Sequence, residues 1–197
     1  MPADITTVRA VRTRYDESLQ KMRGKSLLGF YVENHPLLWN VAALAMHRNA
    51  TVAGVGDLVL GTLSAPHALR VNTTQFMGMA QYPDEYNPDE YNLWATCANT
   101  PTAGDPQPLT DYLDLRIGTA ATYALVAAFV MRCVGTFGAV QLCSIEDDLD
   151  ADAGARKITH AWVRVVDTDE VLDLFSRATG RASESANPNA IVRTLNF

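Results

Sequence analysis

Three cysteines in 197 residues, Cys97, Cys133 and Cys143, are too few and too irregularly spaced for a disulfide framework. No Cys-x-x-Cys pair occurs and the four histidines (His35, His47, His67 and His160) are scattered, so no zinc site, other metal or cofactor is expected. Positive charge is scarce as well: 16 Lys+Arg stand against 22 Asp+Glu, a formal net charge of −6. Nucleic acid and anionic membrane both require clustered positive charge, and neither is expected as a partner. The longest apolar run, Tyr123 to Met131, falls far short of the roughly 20 residues that cross a bilayer. The opening stretch MPADITTVRAVRTRYDESL carries charges where a signal peptide has its apolar segment, so no secretory signal is expected. With 48% hydrophobic and 19% charged residues the chain has the apolar content of a folded domain made in a reducing compartment, not of a disordered one.

What is present divides into a helical, loop-rich part over residues 1–110 and a more regular part over 111–197, read together as one continuous domain. Val8, Val11, Tyr15, Leu19 and Met22 recur at helical spacing, and a second helix is expected from Pro36 with Leu37, Leu38, Val41, Leu44 and Ala45 on it. The following stretch, TVAGVGDLVLGTLSAPHALRVN, has three glycines and reads as turns with at most a short strand or helix. Its Gly54-Val55-Gly56 lacks the continuation of a phosphate-binding loop. Residues 80–111 hold PDEYN twice in succession and a proline-rich run, which reads as a long irregular loop. Residues 119–134 form an apolar helix, with Thr119 placed to cap its start and Gly135 its end. Strands are expected at Gly138–Ile145, Ile158–Val166 and Val171–Phe175, with the acidic EDDLDADAG as a loop between the first two. The tail turns apolar at its end and is placed to dock back. Helices followed by antiparallel strands make an α+β domain with a buried central helix on a small sheet.

His160 and Asp173 are the residues with most chemistry in prospect. In ITHAWVRVVD, His160, Trp162 and Arg164 share one face of a strand and Ala161, Val163 and Val165 the other. A two-residue turn at Asp167-Thr168 sets Trp162 opposite Asp173 and makes His160 its diagonal neighbour on the same face, about 7–8 Å away before the side chains lean together. A turn one residue longer would put the two on opposite faces. A strand histidine beside a surface aspartate is the alternative to a working pair. Covalent catalysis also needs a nucleophile, and the best place for one is the first turn of a buried helix, where free N–H groups lower a thiol pKa and hold an oxyanion. That place reads Gly118-Thr119-Ala120.

The order Gly-Thr-[Cys]-x-x-x-Ala at a helix start, a strand, His-Ala-Trp-Val-x-Val, then Val-Leu-Asp-Leu-Phe resembles the papain-like cysteine peptidase and deamidase domains. Bacteria use such domains as secreted effectors and toxins. The resemblance covers about residues 112–180, with His160 following Ala120 by 40 residues and Asp173 following His160 by 13. It implies a papain-like fold and a Cys-His-Asp triad in which position 120 carries the nucleophile, His160 is the general base and Asp173 orients it. It also implies a protein substrate, a cognate immunity protein, and synthesis in a bacterial cytoplasm followed by delivery through a secretion system into the cytoplasm of a target cell. The sequence departs from the pattern at its centre, because Ala120 stands where the cysteine belongs. Three explanations follow: an alanine substituted for the nucleophile, giving an inactive form; Cys97 as the nucleophile of a transglutaminase-like site; or a natural pseudoenzyme or purely structural domain, with a non-catalytic binding domain as the reading from another class. Gln107 and Asn99 are candidate oxyanion donors, and Trp162 is either a shield over the pair or a core side chain. Cys133, about 20 Å along the helix from Ala120, and Cys143, inside a strand, read as buried small hydrophobes. Peptide cleavage, glutamine deamidation and transglutamination share one acyl-enzyme, and the long upstream segment favours cleavage of a target protein.

Overall fold

The computed structural model describes residues 9–17, 36–63, 119–150 and 155–197. Helix α1 occupies 9–17 and buries Val11 and Tyr15, four residues apart on one face. Helix α2, Pro36–His47, starts on its proline and buries Leu38, Val41, Ala42 and Ala45.

The glycine-rich stretch read as turns is instead a 12-residue helix, α3, Val52–Leu63. Val52, Val55, Val59 and Leu63 stand at spacings of three and four and are buried together, so the apolar period outweighs the cost of about 1 kcal/mol per interior glycine. The Thr51 hydroxyl starts the helix by accepting from the Gly54 N–H at 3.2 Å. Gly56 is there for close approach: a Cβ at that position would lie 2.7 Å from the Arg177 guanidinium and 2.8 Å from Leu172.

Helix α4, Ala120–Val134, is buried over almost its whole circumference. The Thr119 hydroxyl accepts from the Thr122 N–H while the Thr122 hydroxyl accepts from the Thr119 N–H, a reciprocal capping box. Gly135 ends the helix at φ 74°, in the left-handed region that glycine enters without a Cβ clash.

Four antiparallel strands follow: β1 Val140–Asp150, β2 Ala155–Val165, β3 Glu170–Leu172 and β4 Val192–Asn196. They lie in the order β3-β2-β1-β4. The acidic run expected as a loop belongs largely to β1, since the ladder continues past Ile145 to pair Asp147 with Lys157 and Asp148 with Arg156. Residues of opposite formal charge therefore meet at directly paired positions. The third expected strand is cut short at Leu172, and helix α5, Leu174–Thr179, takes up its last two residues. The tail docks as expected, with β4 paired along β1 from Gln141↔Asn196 to Ile145↔Val192.

The protein is α+β, with α4 between the sheet on one side and α2 and α3 on the other. A single apolar cluster joins Tyr15, Leu38, Val59 and Phe129 to Leu142, Ala161, Val163 and Val165. It runs through both the early and the late parts of the sequence.

Candidate functional site

Strand β2 builds the site by showing different residues to its two faces. Ala161, Val163 and Val165 belong to the core against α4. His160 and Trp162 alternate with them on the other face; both are buried, yet Trp162 stands outside that core cluster. Between Ile145↔His160 and Glu146↔Ile158 the register shifts, leaving Thr159 as an extra residue immediately before the histidine. Such a bulge re-aims the side chain beside it. The Thr159 hydroxyl fixes it by donating to the Ile145 carbonyl at 3.1 Å.

The link to Asp173 is set by the β2–β3 hairpin. Its pairs are Val163↔Leu172, Arg164↔Val171 and Val165↔Glu170, the register that a turn centred on Asp167-Thr168 demands. The connection spans residues 166–169 and closes through Asp169 in the left-handed conformation at φ 58°. One step beyond Leu172, Asp173 comes to the His160 face, and His160 Nε2 lies 2.8 Å from Asp173 Oδ2. Both are buried, at 2% and 7% exposure, so water contributes little to screening their interaction.

Asp173 is also the N-cap of α5. Its Oδ1 accepts from the Ser176 N–H at 3.0 Å, while Oδ2 accepts from the Ser176 hydroxyl at 2.9 Å and the Ser183 hydroxyl at 2.5 Å. Burial pushes this carboxyl pKa up, but the bonds from His160, Ser183 and Ser176 outweigh it and hold the value at about 2. The group is therefore a carboxylate at neutral pH. A carboxylate only accepts, so Nε2 carries the proton and, in the neutral ring, Nδ1 carries the lone pair. Among the described residues Nδ1 has no hydrogen-bond partner. The imidazole is bordered by Trp162, ring centroids 5.7 Å apart, and by Phe175 at 6.2 Å. Phe175 in turn meets Tyr123 of α4 at 6.3 Å.

Ala120 is the first residue of α4, 4% exposed and part of the apolar core. Backbone N–H groups of a first turn have no partner inside the helix. The methyl group of Ala120 offers nothing with which to engage an imidazole. Of the three sequence candidates, the structure thus brings His160 and Asp173 into contact and sets Ala120 at the helix end.

Cys133 and Cys143 are buried and neither is in a disulfide. Cys143 stands opposite Trp162, on the His160 face, and burial raises its pKa to about 11, which keeps it a protonated thiol at neutral pH. Cys97, Asn99, Gln107, the PDEYN repeat and the proline-rich run lie outside the described residues. Among the described residues no three His, Cys, Asp or Glu side chains gather as a metal site would require, and no helix is long and apolar enough to cross a membrane.

Two side chains that hold Asp173 escaped the sequence reading. Ser176 had a signal, because Asp is a preferred N-cap whose side chain bonds the N–H two or three residues on; reading Val171–Phe175 as strand hides it. Ser183, in the polar tail, had none. Comparison of the chain with known protein families, with curated proteins and with solved structures finds no match to any of them.

Proposed function

We propose that this chain is a papain-like cysteine amide hydrolase domain in inactive form, with position 120 the site of the missing nucleophile, His160 the base and Asp173 the residue that orients it. The observation that carries the reading is the buried His160–Asp173 contact, in which a fully charged carboxylate holds Nε2 and leaves the Nδ1 lone pair for a substrate or thiol proton. With cysteine at position 120, the thiol proton passes to Nδ1 and the sulfur attacks an amide carbonyl. The backbone N–H at position 120 is a donor for the resulting oxyanion, whereas the Thr122 N–H of the same turn is already taken by the Thr119 hydroxyl. The imidazolium then protonates the leaving amine as the C–N bond breaks, and water attacks the thioester to release the acid and regenerate the thiol. A protein substrate fits this chemistry, and cleavage, glutamine deamidation and transglutamination differ only in which amine leaves and what attacks the thioester. The toxin setting, with a secretion system and a cognate immunity protein, rests on the sequence resemblance alone.

The test is Ala120→Cys, with Ala120→Ser and Ala120→Cys/His160→Ala as controls. Expected is fast labelling by an electrophilic amide probe, and growth arrest on expression, only where the new thiol and His160 are both present. Labelling no faster than that of a surface cysteine, with normal growth, overturns the proposal.

A second reading has its own support. Asp173 already serves as the cap of α5, and Ala120 already fills a place in the core. A non-catalytic domain, in which His160 and Asp173 tie β2 to α5 and the protein acts by binding, is what the same experiment favours if the restored thiol is inert.

A further inference from the structure

The hydrogen bonds around Asp173 extend beyond the pair. Ser183 Oγ lies 2.5 Å from Asp173 Oδ2 and 2.5 Å from Ser185 Oγ. A serine hydroxyl has one proton. Because the carboxylate can only accept, the proton of Ser183 points to Asp173, and Ser185 must donate to Ser183. The result is a directed chain: Ser185 donates to Ser183, Ser183 to Asp173 Oδ2, and the same oxygen takes the Nε2 proton of His160. Bonds in such a chain polarise one another.

The two serines come from the segment after α5, which returns to pack beside β2. Ser183 precedes the short 3₁₀ turn Glu184–Ala186, and that turn is held by the Ala186 N–H donating to the Ser183 carbonyl at 3.3 Å and the Asn187 N–H donating to the Glu184 carbonyl at 3.1 Å. Ser176, by contrast, reaches Asp173 from within α5, where its backbone bond is needed for capping whatever the protein does. Ser183 is not needed for capping: it caps nothing with its side chain, and its hydroxyl spends its proton on the carboxylate.

We propose that Ser183, backed by Ser185, is a positioning residue for the His160–Asp173 pair, closing the solvent side of the carboxylate and fixing the direction from which Oδ2 holds the imidazole. This rests on the catalytic reading for its functional meaning, but its physical content does not depend on that reading. With Ser183 in place, Oδ2 is fully occupied by three donors and water has no lone pair to take. Without it, water reaches Oδ2, competes for it, and frees the Nε2 proton to exchange.

The experiment reads that proton directly, in the protein with Ala120 as it stands. Nitrogen-15 NMR at pH 7 follows the resonance of the His160 Nε2–H and its exchange with water. Expected is exchange roughly tenfold faster in Ser183→Ala, the equivalent of one charge-assisted hydrogen bond replaced by solvent. A smaller increase is expected in Ser185→Ala, and recovery in Ser183→Thr, which keeps the hydroxyl. Unchanged Nε2–H resonance and exchange in Ser183→Ala overturn the proposal; so does the same change in Ser183→Thr as in Ser183→Ala, since it would then follow from altered packing. The denaturation midpoint of each variant separates a local effect from loss of fold.

A second arm uses the Ala120→Cys background, in which Ser183→Ala is expected to lower kcat about tenfold with KM little changed. If Ala120→Cys is itself inert while the NMR effect is present, the catalytic reading fails and the positioning of the pair by Ser183 stands. If Ala120→Cys is active and Ser183→Ala changes neither kcat nor Nε2–H exchange, the positioning proposal fails and the catalytic reading stands.

Discussion

Alternate residues of one strand face two different environments. On one side of β2, Ala161, Val163 and Val165 meet α4 in a dry apolar layer. On the other, His160 and Trp162 are just as thoroughly buried, but the imidazole is held by one charged carboxylate and bordered by aromatic rings. The first face is stabilised by area removed from water and is indifferent to pH. The second holds a charge in a poorly solvated place, and that is tolerable only because four donors meet it. Burial alone does not distinguish the two faces; their response to perturbation does.

The largest expected effect belongs to the apolar core that the dry face joins. Phe129, fully buried on α4 and edge-on to Tyr15 at 5.2 Å, is expected to cost about 3–5 kcal/mol when truncated to alanine. Urea unfolding at pH 7 and again at pH 4.5 should give the same loss. A loss that changed with pH would show that the two sides are not separate in kind.

Asp173→Ala on the other face is expected to cost about 2–3 kcal/mol at pH 7, by leaving buried donors on His160 and Ser176 unpaired. Here the loss must depend on pH. The native pKa of Asp173, about 2, lies below its ordinary value of 3.8, so its stabilisation is complete above the ordinary value and disappears as pH falls through the native one. The shift corresponds to about 2 kcal/mol, lost between roughly pH 4 and pH 2. Asp173→Asn keeps the size of the side chain and removes the charge, and it should flatten this part of the stability-against-pH curve. Equal slopes for the two proteins would locate acid sensitivity elsewhere.

The smallest effect lies where α4 begins. Thr119→Ala removes the hydroxyl that accepts from Thr122 and is expected to cost about 1 kcal/mol. Thr119→Ser retains an acceptor and should recover most of it. In the Ala120→Cys background the same change should also slow thiol labelling, since a loosened first turn no longer holds its N–H groups in place. Stability loss without any change in labelling would separate the cap from the proposed site.

Much of this was legible in sequence, and for local reasons. The span of α4, its cap at Thr119 and its end at Gly135 follow from an uninterrupted apolar run between a hydroxyl residue and a glycine. The contact between His160 and Asp173 follows from strand alternation and one turn, because a hairpin register relates residues only a few positions apart. Where long-range packing had to arbitrate, the reading stopped short. Glycines at 54, 56 and 61 argue against a helix until Gly56 is seen facing Leu172 and Arg177, more than a hundred residues away. The end of β3 at Leu172 reads as mid-strand until Asp173 is seen capping α5.

The sequence by itself determined the α+β order and the buried helix, which rest on period and caps, and it offered His160 and Asp173 as a pair that the hairpin register then had to decide. Only the tertiary structure decided how that carboxylate is kept charged. The bulge at Thr159 that re-aims His160, and the return of the tail that brings Ser183 onto Asp173, depend on segments meeting in space. A buried charge takes its donors from whatever packs beside it, and the Ser183 hydroxyl, ten residues along the chain, is one that no local pattern marks.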